Sequence, residues 1–152
     1  MCGLTGFMTA GNQFSNFEME GFLISMSNTI IDRGPDNSGS WSNAKSGIWL
    51  GHRRLSILDL SYAGHQPMHS HNSRYIISYN GEIYNHLLLR KILQSCGHTS
   101  EWRGHSDTET LLAGFDLWGI QGTVEKAIGM FAFAVWDKHN KTLTLGRDRL
   151  GE

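Results

Sequence analysis

The sequence predicts an α+β fold in which helices pack on antiparallel sheets, and three observations carry that expectation. Apolar residues recur at helical spacing in three separate segments. Between and after these segments the chain alternates in the manner of strands, twice around a polar or glycine-bearing turn that suits a hairpin. The strands bracket the helices and do not alternate regularly with them, which disfavours a doubly wound parallel sheet.

Taken in order, Cys2 to Phe7 has the character of a short buried strand. From Asn16 to Asp32, Phe17, Phe22, Leu23, Met26, Ile30 and Ile31 recur at helical spacing. The "RGPD" stretch from Arg33 to Asp36 stops that helix, because neither Gly nor Pro continues it. "SGIWLGHRRLSILDL" then predicts a strand running into an extended segment. "SRYIISYNGEIYN" predicts a β-hairpin turning at Asn80-Gly81, a dipeptide suited to positive φ. A helix over about Asn85 to Ser95 places Leu88, Leu89, Ile92, Leu93 and Cys96 on one face, with Gly97 just beyond its end. "SDTETLLAGFDLWG" opens with Ser106-x-x-Glu109, a capping-box pattern, and predicts a helix ending near Gly119. "MFAFAVWDKHNKTLTLGRD" alternates on both sides of a polar turn at Asp137 to Lys141, a second hairpin. The chain stops at "GRDRLGE" just after a strand, and a truncated domain is expected.

The 152 residues suffice for one domain with its own core. A formal net charge of -1 without a basic block predicts no nucleic-acid partner. No apolar run approaches a membrane span, and Glu18 and Glu20 interrupt the first weakly apolar segment, so no membrane association or signal peptide is expected and the cytoplasm is the default location. In that reducing compartment the two cysteines, Cys2 and Cys96, are expected to stay unpaired. Glycine is abundant (18) but scattered through apolar sequence, which points to tight turns and not to a linker.

Several residues carry candidate chemistry. Removal of the initiator methionine leaves Cys2 with a thiol and a free α-amine on one residue. Such an amine titrates at about 7.7–8.0 against about 10.4 for lysine, so it can take the thiol proton near neutrality. Position alone favours a small apolar residue in a buried first strand. The Asn80 side-chain amide and Gly81 N–H suit an oxyanion hole, or a plain turn. Arg53 and Arg54 must point to opposite faces of their strand, and an inward arginine suits either a carboxylate ligand or an internal ion pair. Asp107 in the first turn of a helix could hold an ammonium group or merely favour the helix dipole. His65, His69 and His71 lie close in sequence, but their spacing fits no helix face, Pro67 interrupts them, and a metal site is not expected. Cys96 is expected in the core. Phosphate-cradling glycine loops are absent.

Jointly these features are more specific. "MCG", "RGPD", "GHRRLSILD", "GHQPM", "YNGEIYN", "SDTE", "GMFAFAVWD" and "GRDRLG" follow one another in order, and together they resemble the glutaminase domain of class II glutamine amidotransferases, the glutamine-hydrolysing asparagine synthetase branch in particular. The resemblance covers residues 1–152 and implies a four-layer αββα sandwich of the N-terminal-nucleophile hydrolases. It implies Cys2 as nucleophile, Asn80 and Gly81 as the oxyanion-hole pair, Arg54 on the α-carboxylate of L-glutamine, and Glu82 and Asp107 on its α-ammonium. The backbone from Leu55 through Ile57 to Leu58 lines the same pocket. The implied reaction is glutamine hydrolysis to glutamate and ammonia through a glutamyl thioester, with no metal and no organic cofactor for this step. A synthetase domain or subunit would accept the ammonia, and ATP and Mg would belong to it; aspartate is the favoured acceptor, and a homo-oligomer is compatible.

Two departures stand out. Asp32 occupies a position before "RGPD" that is often basic or histidine in the family, and further glutaminase strands and the synthetase domain that follow "RDRLG" in complete members are not in this sequence. A truncated glutamine-binding or regulatory module without turnover is therefore the alternative on the same fold, and a histidine-cluster metallohydrolase is the alternative outside it.

Overall fold

The computed structural model describes residues 1–10, 15–57 and 59–151. Its strands are β1 (Gly3–Met8), β2 (Asn37–Asn43), β3 (Ile48–Arg54), β4 (Met68–His69), β5 (Tyr75–Ile83), β6 (Gly129–Asp137) and β7 (Thr142–Arg147). The helices are α1 (Asn16–Asn28), α2 (His86–Ser95) and α3 (Asp107–Val124). Two antiparallel sheets result, one ordered β1-β3-β2 and the other β4-β5-β6-β7.

Three separate apolar clusters show that the elements stack in four layers. Met19, Leu23 and Trp49 join α1 to the first sheet. Ile48, Leu50, Ile76, Ala134 and Trp136 fill the space between the sheets. Ile77, Ile83, Leu89, Leu111, Phe115 and Val135 belong to the cluster joining the second sheet to α2 and α3. This is the α+β sandwich expected from the sequence.

Strand alternation explains which residues reach the site. On β3, Ile48, Leu50 and His52 point between the sheets, so Arg54 follows them inward, while Trp49 and Arg53 turn toward α1. Arg53 accordingly donates to the Ser27 carbonyl (3.2 Å) and to Asn28 Oδ1. On β5, Ile76 and Ser78 point between the sheets, which directs Asn80 and Glu82 to the same side. Leu4 on β1 does likewise, and Cys2 continues its parity.

Two polar bonds lock the sheets to each other. His52 Nε2 donates to the Tyr79 carbonyl (2.9 Å), and Ser78 Oγ donates to the Gly51 carbonyl (3.0 Å). A carbonyl only accepts, so the His52 proton sits on Nε2; its Nδ1 is buried without a partner among the described residues. Burial lowers the His52 pKa from 6.5 to about 4, against the opposing pull of the Tyr79 carbonyl.

Three expectations need correction. Asn80-Gly81 is not a hairpin turn: β5 runs straight through it, pairing with β6 from Tyr75↔Asp137 to Ile83↔Gly129. Gly81 is required instead for close approach, since its φ is +154° and a Cβ there would lie 2.6 Å from Phe131 Cα. Cys96 is exposed, because α2 ends at Ser95 and the cap leaves the apolar stripe; Leu88 and Ile92 also face out, leaving Leu89 and Leu93 as the buried pair. On α1 the buried stripe is Met19, Leu23 and Ser27, with Phe17, Phe22 and Met26 outward and Ile31 exposed in the 3-10 turn that follows; Ser27 fits because α1 lies close over Gly51, where an added Cβ would meet Ser27 Oγ at 2.6 Å. The first helical stretch of α3 ends at Gly119 as expected (φ 76°, ψ 169°), and a second stretch continues beyond the kink to Val124. The β6–β7 hairpin forms as expected, its turn organised by the Asp137 carboxylate, which accepts from Arg74, His139 N and Asn140 N.

The His52 arrangement generates a pH dependence. Between pH about 6.5 and about 4 the unfolded chain takes up a proton at this residue and the folded chain does not, so stability falls with acidification across that window. The full effect is about 3 kcal/mol. Thermal unfolding from pH 7.5 to 4.5 is expected to show a decline that is distinctly shallower in His52→Gln; equal slopes would contradict it.

Candidate active site

One open cleft of roughly 100 Å³ lies where the gap between the sheets meets the N-terminus of α3. It is lined by Cys2, Arg54, Leu55, Ile57, Asn80, Gly81, Glu82 and Asp107, with Asp59, Gln66, Tyr79 and Thr108 among the other walls. Residues spread over more than a hundred positions of sequence thus meet in one place. Leu58 lies outside the described residues. Ile57 is 67% exposed, so it forms the rim.

The Cys2 sulfur sits against the chain leaving β3: Leu55 N–H donates to Sγ at 3.3 Å, and Sγ lies 3.5 Å from the Leu55 carbonyl. From the other side Arg33 Nε donates to the Cys2 carbonyl at 3.2 Å. The "RGPD" block therefore holds the N-terminal strand and the end of β3 together. Asp36 N–H donates to the Arg54 carbonyl (3.0 Å) and Asp36 Oδ2 accepts from Ser56 N–H (2.8 Å).

Arg54 is buried, and its guanidinium donates to the carbonyls of Ser61 (2.9 Å) and Asp59. Two of its five N–H groups are so used, which fixes the fork and leaves donors for a ligand carboxylate. Gly64 lies directly against the guanidinium, where a Cβ would collide with Arg54 Nη2. The Asp59 carboxylate accepts from Ser61 N–H and Oγ–H and from His105 N–H, tying this loop to the segment before α3. Burial opposes its charge, but these donors outweigh it and hold its pKa below the usual carboxylate range.

Asp107, also on the cleft lining, is buried at the start of α3. Its Oδ2 accepts from Tyr79 OH and from Ile83 N–H, both at 2.8 Å, and Oδ1 accepts from Thr108 N–H at 2.9 Å. Ser106 caps the helix by accepting from Glu109 N–H (3.3 Å), but the Glu109 carboxylate turns to the preceding loop instead of closing the box, accepting from Arg103 N–H and Gly104 N–H. Glu82 is half-buried on the cleft wall. Among the described residues the Asn80 side-chain amide makes no hydrogen bond, so its donors are available to a ligand. The cleft lining therefore brings together a guanidinium, carboxylates, a thiol and an unengaged amide.

The sequence did not expose the roles of Gln66 and Asp148. Gln66 Oε1 accepts from Tyr79 N–H (2.7 Å), and its Nε2 donates to Thr108 Oγ1 (3.4 Å). Asp148 Oδ2 accepts from Phe131 N–H (3.0 Å), opposite Gly81. Their signal was present only as the "GHQPM" and "GRDRLG" blocks. Among the described residues no group of three or more His, Cys, Asp or Glu side chains is placed to hold a metal, and no helix is long and apolar enough to cross a membrane. Cys2 and Cys96 are unpaired.

Comparison with known proteins agrees with this geometry. The family model described as a glutamine amidotransferase domain matches residues 1–152. The chain is 39% identical, over 99% of its length, to a glutamine-hydrolysing asparagine synthetase of Bacillus subtilis, and covers 24% of that protein. It is 36% identical over 99% of its length to a putative glutamine-hydrolysing asparagine synthetase of Methanocaldococcus jannaschii, covering 30% of it. The chain thus spans about a quarter to a third of the length of these relatives. Among solved structures, the glutamine phosphoribosylpyrophosphate amidotransferase of B. subtilis superposes with a TM-score of 0.53 at 23% identity, over 67% of this chain and 23% of that one. That likeness shows the fold, an N-terminal-nucleophile hydrolase sandwich.

The contact between Gly64 and Arg54 can be tested in isolation. In a Cys2→Ala background, Gly64→Ala is expected to weaken L-glutamine binding about 10-fold by calorimetry without changing the circular dichroism, as loss of a charge-assisted contact implies. Unchanged affinity would show that Arg54 does not hold the ligand.

Proposed function

The chain belongs to the glutamine amidotransferase domain family, and on that premise we propose that it hydrolyses L-glutamine to L-glutamate and ammonia with Cys2 as nucleophile. The observation that carries the proposal is the meeting of Cys2, Arg54, Asn80, Gly81, Glu82 and Asp107 at one cleft. Arg54 takes the α-carboxylate, Glu82 and Asp107 take the α-ammonium, and the side-chain amide then lies beside the sulfur.

Removal of Met1 frees the Cys2 α-amine, which accepts the thiol proton as sulfur attacks the amide carbon. The carbonyl oxygen becomes an oxyanion that Asn80 Nδ2 and Gly81 N–H stabilise. Collapse of this intermediate breaks the C–N bond, the protonated α-amine of Cys2 returns its proton to the leaving nitrogen, and ammonia departs from a glutamyl thioester. Water, deprotonated by the same amine, attacks the thioester; glutamate leaves and the thiol is restored. No group outside the cleft is needed to balance these steps. The similarity to asparagine synthetases favours aspartate, on a synthetase domain or subunit, as the acceptor of the ammonia.

Glutamate release from glutamine by the methionine-free chain is the test. Cys2→Ala is expected to lower it by more than about 10³-fold while L-glutamine still binds. An added residue between Met1 and Cys2, which removes the free amine but keeps the thiol, is expected to cost about 10²–10⁴-fold. Glutamate release that persists in Cys2→Ala would overturn the proposal.

A further inference from the structure

Tyr79 directly precedes Asn80, and each of its three polar groups is committed to a different part of the fold. Its N–H donates to Gln66 Oε1 (2.7 Å), its carbonyl accepts from His52 Nε2 (2.9 Å), and its phenol donates to Asp107 Oδ2 (2.8 Å). The residue is 2% exposed, and its ring packs in the cluster under α2 and α3. A phenylalanine would fill that volume equally well, and burying a hydroxyl is costly unless it is paired. The hydroxyl is paired with a carboxylate of the cleft.

That pairing fixes Asp107. Of the three donors on its carboxylate, two are backbone N–H groups, Ile83 and Thr108, and the Tyr79 phenol is the side-chain donor. A carboxylate has about four lone-pair sites, so three donors hold its plane and leave roughly one direction open for a cation. Burial first, then the neighbouring Asp107 charge, raises the phenol's pKa, so it remains a donor throughout the working range.

We propose that Tyr79 is a positioning residue that sets the selectivity of the cleft for an α-ammonium group: its phenol orients the Asp107 carboxylate, while its backbone bonds to His52 and Gln66 place Asn80 beside Cys2. This rests on the glutamine-hydrolysing function proposed above. The phenol touches Asp107 and not the reacting amide, so its removal weakens recognition of the ammonium and leaves the chemical step alone.

The test compares two diazo-ketones as covalent labels of the methionine-free chain, followed by intact mass: a glutamine analogue carrying the α-ammonium, and its counterpart lacking only that group. Tyr79→Phe is expected to raise the half-saturating concentration of the ammonium-bearing reagent by about 10-fold or more, as loss of a hydrogen bond to a charged group implies. The limiting labelling rate and the behaviour of the reagent without the ammonium are expected to be unchanged. Tyr79→4-aminophenylalanine, which restores a donor at the same place, is expected to recover the wild-type preference. Equal slowing of both reagents, or no change in either, overturns the proposal. If circular dichroism shows Tyr79→Phe unfolded, Tyr79→4-methylphenylalanine against Tyr79→4-aminophenylalanine makes the same comparison with the volume kept. A folded wild-type chain labelled by neither reagent would defeat the glutamine-hydrolysing function itself, which separates that failure from a failure confined to Tyr79.

Discussion

His52 on β3 donates across the gap between the sheets to the carbonyl of Tyr79 on β5, and Ser78 on β5 donates back to the carbonyl of Gly51 on β3. Both bonds lie in an otherwise apolar layer, where a pair of polar groups is stabilising only in one relative position of its partners. They therefore fix the offset of one sheet against the other. Everything at the cleft follows from that offset, because Arg54 lies two residues beyond His52 and Asn80 two residues beyond Ser78. A different offset of the sheets would keep the apolar layer and separate the thiol from the amide.

The site is the open end of the inter-sheet core. The parity that buries Ile48 and Leu50 carries on to Arg54, and the parity that buries Ile76 carries on to Asn80 and Glu82. Where the apolar residues end, the same face supplies charge. The loops then brace this rim: Arg33 and Asp36 hold the strand ends near Cys2, and Asp59 joins the Arg54 loop to the segment before α3. The N-terminus of α3 brings Asp107, so the cleft lining carries both a guanidinium and carboxylates.

Much of this was legible in the sequence. Period and caps located the helices, alternation located β3, β6 and β7, and the ordered motif blocks indicated which side chains meet, whereas β2, with its polar NSGSWSN sequence, and the two-residue β4 were not read as strands. Local pattern failed where a tertiary contact overrode it. Asn80-Gly81 has the chemistry of a turn, yet the glycine serves the close approach of β6, a neighbour fifty residues away that local sequence does not reveal. Cys96 continued an apolar period, but the helix stops one residue short of it. Ser27 has no apolar character and is buried on α1 because Gly51 lets the helix come close. Tyr79 resembled any alternating strand residue, and its link to Asp107 appears only once β5 and α3 are packed together.

The central claim is that Cys2 carries the substrate through a covalent stage. The most direct measurement is the intact mass of the methionine-free chain, acid-quenched within the first turnover after mixing with L-glutamine and examined before and after hydroxylamine. The account predicts one glutamyl group on Cys2 that hydroxylamine removes and that Cys2→Ala never acquires. A folded chain that releases glutamate while showing no adduct on Cys2, or an adduct elsewhere, would contradict it.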